Sequence, residues 1–145
     1  MDFETTAKIS SSGLSANRTW LNVLTSNLAN SQTTKTADGK PYQRRTVIYE
    51  SVPATESFSA SLDSAMEEDL HKVRVTDIVP DGRDFKNVYD PNHPDADEQG
   101  IVQLPNINPV EEMANLLVAS RTYEANLAAL NTAKQLALKA IDIGK

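Results

Sequence analysis

The sequence predicts a mainly α-helical protein with a small β-rich insert, its long N- and C-terminal helices paired as a coiled-coil-like domain. Two observations carry that reading. All seven prolines (41, 53, 80, 91, 94, 105 and 109) lie between the two terminal stretches, and proline breaks helix interiors and central strands alike. Apolar residues recur at helical spacing at both ends but alternate over short runs in between. The expected division is an N-terminal helical part at 1–33, an insert at 34–105 and a C-terminal helical part at 106–145.

In the first thirty residues Phe3, Ala7, Ser10, Leu14, Asn17, Leu21, Leu24 and Leu28 follow a four–three alternation, the spacing of a heptad seam. Ile9, Ala16, Trp20 and Val23 form an adjacent stripe. Gly13 is the weak point, costing about 1 kcal/mol against alanine. Asn22, Asn27 and Asn30 read as solvated surface residues, whereas Asn17 falls in the seam, where a buried asparagine fixes register.

The helix is expected to stop near Asn30, and Asp38-Gly39-Lys40-Pro41 is the strongest turn signal. Residues 42–51 read as a strand, and its Arg44-Arg45 pair as solvated charge, with a partner carboxylate as the second reading. Pro53, the serines that follow and Glu67-Glu68-Asp69 predict an exposed, flexible loop over 52–70. Strands are expected at 72–79, closed by Pro80-Asp81-Gly82, then at 85–89 and 101–104.

The C-terminal stretch, 109–145, is a single long helix by pattern. Leu116, Ser120, Tyr123, Leu127, Leu130, Ala137 and Ile141 share one face, and Val110, Ala114, Leu117, Ala125, Ala128 and Leu136 run beside it. One antiparallel neighbour cannot cover so wide an arc, so the helix expects more than one partner.

A chain of 145 residues has room for about one domain, and 39% apolar residues with no cysteine mean packing without disulfides. Both ends are electrically neutral, so the net charge of −6 resides in the middle; a chain so acidic is not expected to bind nucleic acid. Asp2 and Glu4 stand where a secretory signal needs basic residues, and no run of about 18 apolar residues could insert in a bilayer. By the ordinary rules the protein would be soluble and cytoplasmic.

The chain offers little for catalysis or cofactor binding. The cluster Asp90-Pro91-Asn92-His93-Pro94-Asp95-Ala96-Asp97-Glu98 lacks calcium-loop spacing and reads as an ordered surface loop rather than a metal site. His71 reads as a solvated residue. With no nucleophile elbow and no phosphate loop, neither an enzyme nor a cofactor is expected.

Ser11-Ser12-Gly13-Leu14-Ser15-Ala16-Asn17-Arg18, then Leu21-Asn22-Val23 and Ser26-Asn27-Leu28-Ala29-Asn30, resemble the N-terminal motif of the bacterial flagellar rod and hook proteins. Tyr89-Asp90-Pro91, Pro94 through Gly100, Leu104-Pro105-Asn106-Ile107-Asn108 and Pro109-Val110-Glu111-Glu112-Met113 look like the signature of a proximal-rod member. So do Ala119 through Asn126 and Asn131-Thr132-Ala133-Lys134. The match spans about 9–50 and 88–144.

The resemblance implies terminal helices that pack side by side in many subunits, forming a hollow helical tube with the β-rich part outside. The packing residues would be Leu14, Asn17, Leu21, Leu24 and Leu28 with Met113, Leu116, Leu117, Ser120, Tyr123, Leu127 and Leu130. It also implies termini that order on assembly, and a periplasmic rod reached without a cleaved signal through the flagellar type III export apparatus. The implied partners are copies of the chain, other proximal and distal rod proteins, and the adaptor between rod and MS ring. The competing reading from the residues alone is an intracellular coiled-coil adaptor of fixed stoichiometry.

Overall fold

The computed structural model describes residues 3–54 and 70–143. In chain order they form α1 (Phe3–Ala29), β1 (Arg45–Pro53), β2 (His71–Pro80), β3 (Lys86–Tyr89), β4 (Ile101–Leu104) and α2 (Pro109–Ile143). The two helices lie at the ends and pack on each other, as the distribution of proline predicts.

Local chemistry fixes the helix ends. At the close of α1, Asn30 donates both its backbone N–H and its side-chain amide to the Ser26 carbonyl, at 3.1 and 2.8 Å, tying down the last turn. At the start of α2, Asn108 is the N-cap and its Oδ1 accepts the Val110 N–H at 3.2 Å. Pro109 occupies the first helical position, where its missing N–H costs nothing, and Glu111 and Glu112 in the first turn face the positive end of the helix dipole.

β1 and β2 form a two-stranded antiparallel ribbon with a bulge between Ile48 and Tyr49. Its terminal pairs are Arg45↔Pro80 and Pro53↔His71, so both prolines sit where a missing ladder donor does least harm. The ribbon runs further than predicted. Val52 and Pro53 belong to β1, and the N–H of buried Ala54 bonds the Leu70 carbonyl at 2.9 Å. The start of the expected flexible loop is thus ordered sheet; the rest of it, 55–69, lies outside the described residues.

β3 and β4 form a second antiparallel pair, Lys86↔Leu104 through Tyr89↔Ile101. Gly100 closes their loop at φ +76°, and a Cβ there would stand 3.0 Å from the Tyr89 ring and 3.1 Å from Pro91 Cβ. Only glycine meets both constraints.

Buried side chains gather at one end of the helix pair: Val23, Leu24 and Asn27 of α1, Val47 of β1, Val102, Asn106 and Ile107, and Glu112 and Ala119 of α2. A two-stranded ribbon is marginal by itself, and this core is where it is anchored.

Candidate functional site

Two contacts fix the register of the helices. Asn27 of α1 bonds Glu112 of α2, and a Cβ on Gly13 would lie 3.3 Å from the Asn126 amide. Gly13 stands two heptads before Asn27 and Asn126 two heptads after Glu112, so the helices run antiparallel in constant register. The seam of α1 is the row through Ile9, Gly13, Ala16, Trp20, Val23 and Asn27. Its counterpart on α2 is Glu112, Leu116, Ala119, Tyr123, Asn126, Leu130, Ala133 and Ala137, which alternates in fours and threes and is buried or half-buried throughout.

The leucine row read from the sequence lies one residue further round. On two antiparallel right-handed helices, residues one position past the seam fall on the same side of the pair. That side carries Ala7, Ser10, Leu14, Asn17, Leu21, Leu24 and Leu28 of α1 beside Val110, Met113, Leu117, Ser120, Glu124, Leu127, Asn131, Lys134, Leu138 and Ile141 of α2. Leu24 is buried; Leu14, Asn17, Leu21 and Leu28 are half-buried. On α2, Met113 and Leu117 are each 55% exposed and Val110 73%. The opposite side of α1, one position before the seam, is polar and holds the ribbon: Ser12 Oγ accepts the Val73 N–H at 3.1 Å, and Ser26 bonds the Tyr42 hydroxyl at 3.3 Å. On α2 this side is uncovered and apolar at Val110, Met113 and Leu117 and again at Leu127, Leu138 and Ile141, with Glu124, Asn131 and Lys134 interspersed, while the opposite side of α1 carries the β ribbon.

A buried polar joint ties ribbon to helices. The Asn27 side chain donates to the Arg45 carbonyl and to Glu112 Oε2, and accepts from the Arg45 N–H and the Tyr42 hydroxyl. Toward the strand backbone it acts as one more peptide group. Arg44 donates Nε to Glu112 Oε1 at 2.7 Å, Nη1 to Asp81 Oδ2 at 3.1 Å, and its backbone N–H to Asn106 Oδ1 at 2.8 Å. Asn106 in turn donates to the carbonyls of Asp81 and Arg83. Arg83 bonds Asp81 and reaches Glu111 on the surface of α2. Among the described residues no buried side-chain polar atom lacks a partner.

The electrostatics of the joint follow from those contacts. Partial burial pushes the Asp81 carboxyl up, but the Arg83 backbone and guanidinium, with Arg44, more than offset this and hold it below the ordinary carboxylate value. Burial pulls Arg83 down, but Asp81 and then Glu111 more than offset this and raise it.

Two expectations are corrected here. Asn27 is not solvated: it is fully buried because it stands on the seam at the point where β1 arrives. Arg44 is not solvated charge, since two carboxylates bind it; Arg45 does point outward, 6.0 Å from the Tyr42 ring centre. The buried seam amide is thus Asn27, while Asn17 is half-buried on the apolar flank. Neither Asp81 nor Arg83 stood out in the sequence beyond turn chemistry.

The loop of residues 90–100 is committed to its own backbone. Asp90 accepts the Asn92 N–H, Asp97 accepts those of Gln99 and Ile101, His93 Nδ1 accepts that of Asp95, and Asp95 takes the Thr34 hydroxyl at 2.7 Å. Asp90 and Pro91 are exposed there. Among the described residues no group of three His, Cys, Asp or Glu could hold a metal ion, and no helix is long and apolar enough to cross a membrane.

Comparison with known proteins singles out the helices. Residues 8–35 match the family model "Flagella basal body rod protein", and residues 98–143 match "Flagellar basal body rod FlgEFG protein C-terminal". The two matches take in nearly all of α1 and α2, and leave 36–97 between them. Similar full-length relatives are the flagellar basal-body rod proteins FlgC of Bacillus subtilis, 43% identical over 94% of this chain and 95% of its own, and of Aquifex aeolicus, 41% identical over 94% and 92%. The FlgC protein of Salmonella typhimurium is 36% identical over 94% of both chains.

Proposed function

Given that the chain belongs to the FlgC family of flagellar basal-body rod proteins, and so is a structural subunit of the flagellar basal body rather than an enzyme, we propose that it builds the proximal rod by packing its helix pair against those of neighbouring subunits. The observation that carries this reading is the uncovered row Val110, Met113, Leu117 and Leu127 beside the half-buried leucines of α1. Val110, Met113 and Leu117 form an exposed apolar patch, and such patches mark protein–protein interfaces. On α1 the opposite side is occupied by the ribbon, so the two sides of the pair are unlike. Contacts between unlike faces propagate into helical assemblies rather than closing as dimers.

In this reading copies of the chain and related rod proteins wall a hollow tube that passes exported subunits and transmits torque, and the acidic β part faces outward. The rod is periplasmic. The chain reaches it through the flagellum's own type III export apparatus, without a cleaved signal, and meets the distal rod proteins and the MS-ring adaptor there. The buried core at the joint holds the free chain together, while the uncovered distal turns of α2 order on assembly.

Deleting residues 110–145 is the direct test: the truncated chain should be absent from isolated basal bodies and the cells non-motile, and a motile flagellum built with it would refute the proposal. Leu127→Asp, on the uncovered flank, should also block incorporation, because assembly would desolvate the charge at a cost of several kcal/mol. Mass measured at rising concentration separates the rod subunit, which stays monomeric or polymerises, from an adaptor, which stops at a fixed stoichiometry.

A further inference from the structure

We propose that Asn27, Arg44 and Glu112 form a latch that makes docking of α2 on α1 and anchoring of the β1–β2 ribbon a single, all-or-none event. Four separate stretches of the sequence converge on it: the last turns of α1, residues 42–45, the turn at 81–83, and residues 106–112 leading into the first turn of α2. What they bring together is chiefly hydrogen-bonding groups and charge, and that decides how the joint behaves. Apolar contacts can form piecemeal, each adding a little. A carboxylate as fully enclosed as Glu112 cannot, because closing over it without both partners would strand a charge out of water.

Glu112 has two protein partners, and they arrive from different elements. Asn27 comes from α1 and Arg44 from the residue before β1. Asn27 also bonds both backbone groups of Arg45 and accepts from the Tyr42 hydroxyl, so the amide that receives α2 also receives the first residue of the ribbon. Arg44 likewise passes from Glu112 to Asp81 immediately past β2. Opening α2 at its first turn would leave Arg44 and Asn27 short of an acceptor and release the Arg45↔Pro80 end of the ribbon. A subunit with an open helix pair then carries an unplaced ribbon, and closing the pair positions the ribbon in the same step. Glu112 is the positioning residue. The inference rests on the joint alone and does not depend on how subunits pack in the rod.

Amide hydrogen exchange on the full chain, read by mass spectrometry, tests it with Glu112→Gln and, as a milder variant, Arg44→Lys. Glu112→Gln keeps the shape but removes the charge from two hydrogen bonds, and should speed exchange about tenfold or more. The acceleration should appear together in residues 24–30, 45–47, 78–81 and 110–116. Leu130→Ala, a seam change far from the joint, should speed only the distal part of the pair. Acceleration confined to 110–116 in the latch variants would overturn the proposal. So would a wild-type chain whose α2 amides exchange freely while residues 45–47 and 78–80 stay protected.

Discussion

α1 and α2 share a single seam, yet α1 buries Ala16, Val23, Leu24 and Asn27, whereas the longer α2 buries only Glu112 and Ala119. The difference lies in what else each helix touches. α1 has the ribbon on the side opposite its leucine row, fixed through Ser12 and Ser26, while α2 has no second layer among the described residues. Burial here follows the number of neighbours and not the number of apolar side chains, which α2 has in plenty: Val110, Met113, Leu117, Leu136, Leu138, Ile141 and Ile143 are all more than half exposed. A helix of 35 residues, about 50 Å long, thus has cover within its own chain on one side only.

Substitutions can break or sharpen that contrast. The largest effect on the free chain is expected at the joint, where both helices are tied. Glu112→Ala leaves Arg44, whose side chain is 12% exposed, without its main partner, and should cost about 3–5 kcal/mol in urea unfolding. Next comes a matched pair. Leu24→Ala on α1, at 1% exposed, should cost about 3 kcal/mol, while Leu117→Ala on α2, at 55%, should stay within about 0.5 kcal/mol. Equal costs would mean that α2 is covered within its own chain.

Two glycines follow. Gly100→Ala meets both a left-handed backbone and the Tyr89 ring, and should destabilise by about 1–3 kcal/mol in thermal melting. Gly13→Ala meets only the movable Asn126 amide at 3.3 Å. There the gain of about 1 kcal/mol in helix propensity opposes a small displacement, and the net change should be near zero.

The smallest effect is in pH. Because the folded Asp81 carboxyl sits below its ordinary value, its share of stability is full above about pH 3.9 and fades as pH falls through the lowered folded value. The difference in urea midpoint between wild type and Asp81→Asn should therefore shrink between pH 6 and pH 3.

What the sequence made legible was whatever depends on neighbours along the chain. Proline segregation and helical spacing placed both helices, and β4 falls at the predicted residues 101–104. Contacts across the chain stayed hidden. Arg44 meets carboxylates 37 and 68 residues away, and no local pattern distinguishes such an arginine from solvated Arg45. The two rows of α1 posed the same problem: both have heptad spacing, and only the Gly13–Asn126 and Asn27–Glu112 contacts show which one faces α2. The leucines make the more obvious row. The inner seam instead carries small and polar residues, Gly13, Ala16 and Asn27, which bring the backbones close and seat the joint.

Since the chain has no cysteine, a single Leu117→Cys substitution gives a clean probe of whether neighbours cover the open flank of α2. Maleimide labelling of that variant should be fast in the free chain and strongly suppressed in isolated basal bodies, while a Glu98→Cys control on the exposed loop labels readily in both. Leu117→Cys labelling in the assembled rod at the rate of the control would contradict the account.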